Sequence, residues 1–266
     1  CGTDFHIFSG AANYNLDAHG KSIPLSIQPQ ILGHEFCGTL IETGSAVDDL
    51  KPGDNVVVDQ GQNCFSKRTV PPCIYCSSGH SHQCLNYKER GITGLPGAFQ
   101  ELLSVPAVNA ISMGNELSFK EAALVEPLGC VIHSMDMAER ASTRFDLFQE
   151  ESTGETVENL LILGAGPAGL LFLQYIRNVQ QFKGQILIAD SVQKKLDLAE
   201  TLGATPLHTE RNNLANSVRE RTDGKLIDFL VEATGSGKAF EIIPKVLRKQ
   251  ATVLLYGHGH RGTDLS

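Results

Sequence analysis

Residues Asn159-Leu160-Leu161-Ile162-Leu163 run without a break into Gly164-Ala165-Gly166-Pro167-Ala168-Gly169, and an apolar stretch from Leu170 to about Val179 follows. The first run reads as a strand buried on both faces and the last as a helix. Between them the Gly-x-Gly-x-x-Gly spacing lets the main chain approach a pyrophosphate at the positive end of that helix. Alone, the glycine spacing is a weak signal. Its setting constrains the fold: strand before, helix after, and a next strand, 185–189, that ends at Asp190 about twenty residues past Gly169. An acidic side chain there can hold both hydroxyls of an adenosine ribose and repels a 2'-phosphate, so NAD is expected over NADP. Lys194 and Lys195 lie close enough to soften that preference. Lys195 joins Gly164, Gly166, Pro167, Gly169 and Asp190 as the cofactor-binding candidates.

Further strands are expected at about 205–207, 227–232 and 252–256, each after a helix-like stretch. That alternation argues for a parallel sheet with helices on both faces, a Rossmann-type domain with five strands. Upstream the texture differs. The runs 39–42 and 56–58 are β-rich, Lys51-Pro52-Gly53-Asp54 between them is a turn, and another β-rich stretch contains Gly97 to Glu101. Segment 11–30 has no period and reads as a loop. The acidic stretch Glu150-Glu151-Ser152-Thr153-Gly154-Glu155 separates the two textures as a linker or surface insertion.

At 266 residues the chain has room for two domains, and 41% hydrophobic with 20% charged residues fits a folded globular protein. A net charge of -8 without any basic run argues against a nucleic-acid partner. No stretch supplies the roughly 18 apolar residues of a membrane span, and the first residues form neither a signal nor a transit peptide. The seven cysteines are odd in number, and three stand as Cys73-x2-Cys76-x7-Cys84. That reads as metal ligation in a reducing compartment, so a cytoplasmic setting is expected.

Two further constellations lie near the start. Cys1-Gly2-Thr3-Asp4-Phe5-His6 gathers a thiol, a hydroxyl, a carboxylate and an imidazole, and Gly33-His34-Glu35 sets two metal-ligand types side by side. The spacing Gly-His-Glu-x2-Gly-x5-Gly-x2-Val from Gly33 to Val47 resembles the zinc signature of the medium-chain, zinc-dependent alcohol dehydrogenases. By position, the resemblance implies Cys1 and His34 as catalytic zinc ligands, Thr3 as the hydroxyl that meets the substrate oxygen, and His6 as the group that passes the proton to solvent. It also implies a chaperonin-10-like (GroES-like) barrel for the β-rich domain. Glu126-Pro127-Leu128 is similar to the third zinc contact of the polyol and sugar dehydrogenase branch. Glu35 or Glu126 then stands closest to the metal, a choice the sequence leaves open, with Cys130 as a rival soft ligand. Apolar neighbours argue for a buried Cys130, and Cys37 and His133 are assigned to packing.

Cys73, Cys76 and Cys84 match three ligands of the family's structural zinc lobe, about 60–90 here. The fourth departs from the family spacing: the upstream candidate is Cys64, with eight residues between it and Cys73. A longer loop can still close such a site, because closure entropy grows slowly with length. The alternative for Cys64 is a plain buried thiol, and His80 and His82 are expected as solvated loop residues. Ser118 is expected to cap a helix that Pro127 interrupts.

The resulting expectation is a GroES-like zinc-binding catalytic domain over 1–140, followed by an NAD-binding Rossmann domain over 155–266, with both ends of the family pattern missing. One catalytic and one structural zinc are implied, with NAD as hydride acceptor and a small-molecule secondary alcohol, polyol or sugar as substrate. A homo-oligomer is implied for the full-length protein. The alternatives are a zinc-independent reductase of the same superfamily and a non-catalytic NAD-binding protein.

Overall fold

A computed structural model describes residues 2–17, 19–114, 116–141, 145–146, 155–210 and 213–258. The chain divides into two compact units, Cys1–Pro127 and Leu128–Ser266. The acidic stretch 150–154 and Cys1 lie outside the described residues.

In the first unit, α1 (Gly2–Phe8) leads into loop 11–30, which carries one isolated bridge between Leu16 and Ser22. β1 (Cys37–Thr39) and β2 (Asn55–Val58) then pair antiparallel, Cys37 opposite Val57. β1 starts earlier than the expected 39–42 because the turn from Lys51 closes back on Leu40: Leu40 N donates to Asp54 O and Gly53 N to Leu40 O. β3 (Gly61–Gln62) pairs with β4 (Lys88–Glu89), and α2 (Ile74–Ser77) sits in the lobe between them. β5 (Ala110–Ser112) completes the sheet β1-β2-β5, in which Val56, Val57 and Val58 are buried. The stretch 97–101 is not a strand. It crosses residues 31–33 through single main-chain bonds, Gly97 N to Ile31 O, Phe99 N to Leu32 O and Ala98 N to Gly33 O. Gly33 has φ +94°, and a Cβ there would stand 2.7 Å from the Phe99 ring, so only glycine serves.

α3 (Phe119–Ala122) opens with the expected cap: Ser118 Oγ accepts from Glu121 N while the Glu121 carboxylate accepts from Ser118 N. The expected interruption at Pro127 does not occur, since α4 (Val125–Ala141) runs through it. Pro127 stands third in the helix, where a main-chain N–H has no helical partner to lose.

In the second unit, the two-residue strands β6 (Phe145–Asp146) and β7 (Glu155–Thr156) pair parallel. The main sheet is built from β8 (Asn159–Leu163), β9 (Gln185–Asp190), β10 (Thr205–His208), β11 (Ile227–Glu232) and β12 (Leu247–Leu255), parallel and ordered β10-β9-β8-β11-β12. α5 (Pro167–Gln174), which continues as one π turn over Tyr175–Val179, and α6 (Gln193–Thr201) cover one face; α7 (Leu214–Arg221) and α8 (Gly237–Val246) cover the other. The central strands alternate between the two faces. Leu160 and Ile162 pack with Phe172 and Leu196, while Leu161 and Leu163 pack with Val218 and Ile243. Both faces are therefore apolar, which is why β8 and β11 read as unbroken hydrophobic runs.

Candidate active site

The metal-ligand types of the first unit converge from two segments. Ligand atoms of His34, Glu35 and Glu126 lie within 4.8 Å of one another. His34 is 2% exposed, its Nε2 is 3.9 Å from Glu35 Oε1, and its Nδ1 is 3.2 Å from Asp4 Oδ2. Asp4 Oδ1 also accepts the main-chain N–H of Gly33 at 2.9 Å, tying α1 to the His34 segment. A carboxylate beside Nδ1 holds the ring with Nε2 turned toward the glutamates, the usual support of a metal-bound imidazole.

Glu126, on the first turn of α4, accepts from Gln60 Nε2 at 2.8 Å. Its carboxyl is pushed up to about 7, first by burial and then by the carboxylates of Glu35 and Glu89. Glu89 is itself raised by burial, and its partner Tyr87 is raised by burial and by the nearby Glu89 and Asp59. Crowded, half-buried carboxylates beside an imidazole repel one another, and a divalent cation relieves them. The residues fit a zinc of the His and carboxylate type.

This arrangement sets a pH dependence. A carboxyl raised on folding favours the folded state fully below its ordinary value of 4.5, and that contribution is lost as pH rises through about 7. The metal-free chain is expected to lose thermal stability across that window, with zinc removing the trend because it takes the ionised form. Melting temperature against pH, with and without zinc, checks this. A metal-free profile flat across the window would refute it.

The second ligand set is the lobe. Sγ atoms of Cys64, Cys73, Cys76 and Cys84 all lie within 4.8 Å of one another, with Cys64 to Cys84 at 3.7 Å and Cys73 to Cys84 at 3.9 Å. Thiolates about 2.3 Å from a tetrahedral zinc stand ~3.8 Å apart, so the donor set fits that ion. Main-chain N–H groups also point at the sulfurs, Cys73 N to Cys64 Sγ at 3.3 Å and Asn86 N to Cys84 Sγ at 3.4 Å. Main-chain bonds from Cys76 and Leu85 lower the Cys73 thiol. The segment between Cys64 and Cys73 folds back, Thr69 N donating to Cys64 O, which brings Cys64 into the set despite its distance in sequence.

In the second unit, α5 begins at Pro167 with Gly166 as its N-cap residue. Ala165 N donates to Asp190 Oδ2 at 2.9 Å, Val192 N to Asp190 Oδ1 at 2.9 Å, and Lys195 Nζ stands 3.8 Å from Oδ2. From the end of β9 the acidic candidate thus braces the glycine turn that follows β8, beside the N-terminus of α5.

Several candidates fall elsewhere. Thr3 is half-buried and His6 exposed on α1. Cys130 and His133, expected to be buried, are exposed on α4, because the apolar stripe of that helix passes instead through Leu128, Val131 and Met135. Cys37 is half-buried and donates to Phe119 O, while His80 and His82 are exposed with rings 6.0 Å apart. Asp4, Gln60, Tyr87 and Glu89 enter the site without any sequence expectation. Asp4 lies within the hexapeptide that opens the chain, while no spacing marks the other three.

Comparison with known proteins agrees with this architecture. Residues 1–115 match the alcohol dehydrogenase GroES-like domain and residues 120–261 the glucose dehydrogenase C-terminus. The chain is 30% identical over 262 residues to an L-threonine 3-dehydrogenase of Pectobacterium carotovorum, covering 98% of this chain and 67% of that protein. It superposes on galactitol-1-phosphate dehydrogenase from Escherichia coli with a TM-score of 0.75 at 25% identity, covering 100% of this chain and 67% of the other. With an alcohol dehydrogenase from Thermus sp. ATN1 the TM-score is 0.72 at 26% identity, covering 97% and 66%. The chain spans about two thirds of the length of each. With a GroES-like unit that gathers His34, Glu35 and Glu126 and a Rossmann unit after it, the chain belongs to the medium-chain, zinc-dependent alcohol dehydrogenase family, whose enzymes act on CH–OH groups with NAD(P).

Proposed function

We propose that this chain carries the zinc and dinucleotide sites of an enzyme that oxidises a secondary alcohol of a polyol, sugar or related compound, with NAD as acceptor. The observation that carries the reading is the convergence of His34, Glu35 and Glu126 within 4.8 Å. His34 and one or both glutamates hold the catalytic zinc, with Cys1, outside the described residues, as a further ligand. Zinc, when bound, supplies a Lewis acid that lowers the pKa of the substrate hydroxyl. Asp4 keeps the His34 ring oriented, and Gln60 holds the Glu126 carboxylate in place. Thr3 and His6, three residues apart on one face of α1, carry the proton from the substrate oxygen to solvent, and the exposure of His6 suits the outer end of that route.

Gly164, Gly166, Pro167 and Gly169 receive the pyrophosphate, and Asp190 the adenosine ribose. The nicotinamide, when bound, accepts the hydride. Lys195 stays near enough to Asp190 to temper the preference for NAD. The free thiols of the lobe suit a reducing, cytoplasmic setting, and the net charge of -8 suits a small-molecule partner over a nucleic acid.

The test is zinc content per chain by native mass spectrometry, joined to a panel of polyols assayed for NAD reduction. Two zincs per chain are expected, one for each ligand set, falling to one with Cys64→Ser. That substitution is also expected to lower the melting temperature, because a structural zinc contributes directly to folding. No zinc, or no turnover of any alcohol by the loaded protein, would overturn the proposal in favour of a reductase without the metal or a protein that only binds NAD.

A further inference from the structure

The carboxylate of Glu232 lies at the carboxyl end of β11 and is fully buried. Oε1 accepts the main-chain N–H of Thr234 at 2.8 Å and of Gly235 at 3.1 Å, and also the Thr234 hydroxyl; Oε2 accepts from Gly235 N at 3.2 Å. From the other side the end of β12 closes over the same residue. Tyr256 N and Gly257 N donate to Glu232 O, and a Cβ on Gly257 would stand 2.4 Å from Oε2. Glu232 therefore joins two loops, 233–236 and 256–258. The first of them abuts the glycine turn, since a Cβ on Gly164 would stand 2.8 Å from Thr234 Cγ2.

Burying a carboxylate is costly unless donors converge on it, and an amide can span one such loop with less desolvation. What the carboxylate adds is two acceptor oxygens in one fixed plane. The place it occupies explains why that matters. In the order β10-β9-β8-β11-β12 the chain direction of the winding reverses between β8 and β11, and ligands of such sheets lie outside the carboxyl ends at that point. With the ribose at Asp190 on β9 and the pyrophosphate at α5, the remaining half of a dinucleotide lies over the ends of β11 and β12.

We propose that Glu232 is a positioning residue for the nicotinamide half of the dinucleotide, acting through loops 233–236 and 256–258 without touching the cofactor. This rests on the dinucleotide reading above. In Glu232→Gln one acceptor becomes an NH2 group facing the Gly235 N–H or the donors on Oε1, so loop 233–236 must shift, and loop 256–258 with it because His258 O lies against Gly235, while Asp190 and its bonds are untouched.

The experiment measures NADH by fluorescence titration and AMP, the adenosine half alone, by calorimetry, on the full chain. Glu232→Gln is expected to weaken NADH about tenfold and to leave AMP within about twofold. Thr234→Val, which removes one donor and keeps the side-chain volume, is expected to do the same more weakly and remains readable if the first variant folds poorly. Unchanged NADH affinity in both variants overturns the proposal. So does a parallel loss of NADH and AMP in Thr234→Val, which marks a role in the fold alone. An unsubstituted chain that binds neither ligand overturns the dinucleotide reading itself, and the proposal with it.

Discussion

Alanine in place of Gly169 is expected to push α5 away from β8 and abolish tight dinucleotide binding. A Cβ there would stand 1.9 Å from Gly164 O, 1.5 Å short of an ordinary 3.4 Å contact, and 3.0 Å from Gly164 C. Both atoms are main chain, so no side chain can swing aside. The turn must open or the helix must move, at a cost of about 1–3 kcal/mol from overpacking alone. Its first turn then no longer presents its N–H groups where β8 ends. Gly166→Ala separates the two consequences. Nothing lies within 4 Å of a Cβ built there and its φ of -76° suits any residue, so the fold is expected to keep most of its stability. A methyl there still obstructs a ligand that comes close to the main chain. Urea unfolding and NADH titration are expected to show stability lowered and binding lost for Gly169→Ala, and binding alone lost for Gly166→Ala. A Gly169→Ala chain that binds NADH as tightly as the parent would refute the steric argument.

The contrast between these two glycines illustrates what the sequence could carry. A strand, a glycine turn and an acidic residue one strand later are local patterns, and their spacing is enough to place β8, α5 and Asp190. The ligand types His34, Glu35 and Glu126 are legible in the same way, as residue identities in short motifs. What holds them is not. Asp4, Gln60 and Glu89 come together from three segments up to 85 positions apart, and no period or spacing connects them. Cys64 is intermediate: its thiol type is visible, yet the fold of the following segment decides that it reaches Cys84. Pro127 misleads for a different reason. A proline breaks a helix interior but is harmless in the first turn, and only the position of the helix start distinguishes the two.

His34→Ala is the substitution from which the largest loss of activity is expected. The ring is nearly fully buried between Asp4 and Glu35, and removing it leaves the Asp4 and Glu126 carboxylates facing a cavity with no imidazole between them. Without the imidazole only carboxylates remain among the described residues to hold a dication, and nothing fixes them in the geometry that the ring supplied. The chain is expected to keep the zinc of its four cysteines, lose the other, and lose turnover by at least about a thousandfold, which corresponds to roughly 4 kcal/mol of barrier. NADH affinity is expected to stay within about twofold, because Gly164 to Gly169 and Asp190 belong to the other compact unit. Asp4→Asn refines the point: it leaves His34 in place but weakens the hold on Nδ1, and zinc affinity is expected to fall about 10- to 100-fold. If His34→Ala keeps both zincs and full turnover, the metal is not held where His34, Glu35 and Glu126 meet. If it loses the zinc but keeps turnover, the chemistry does not run through this site.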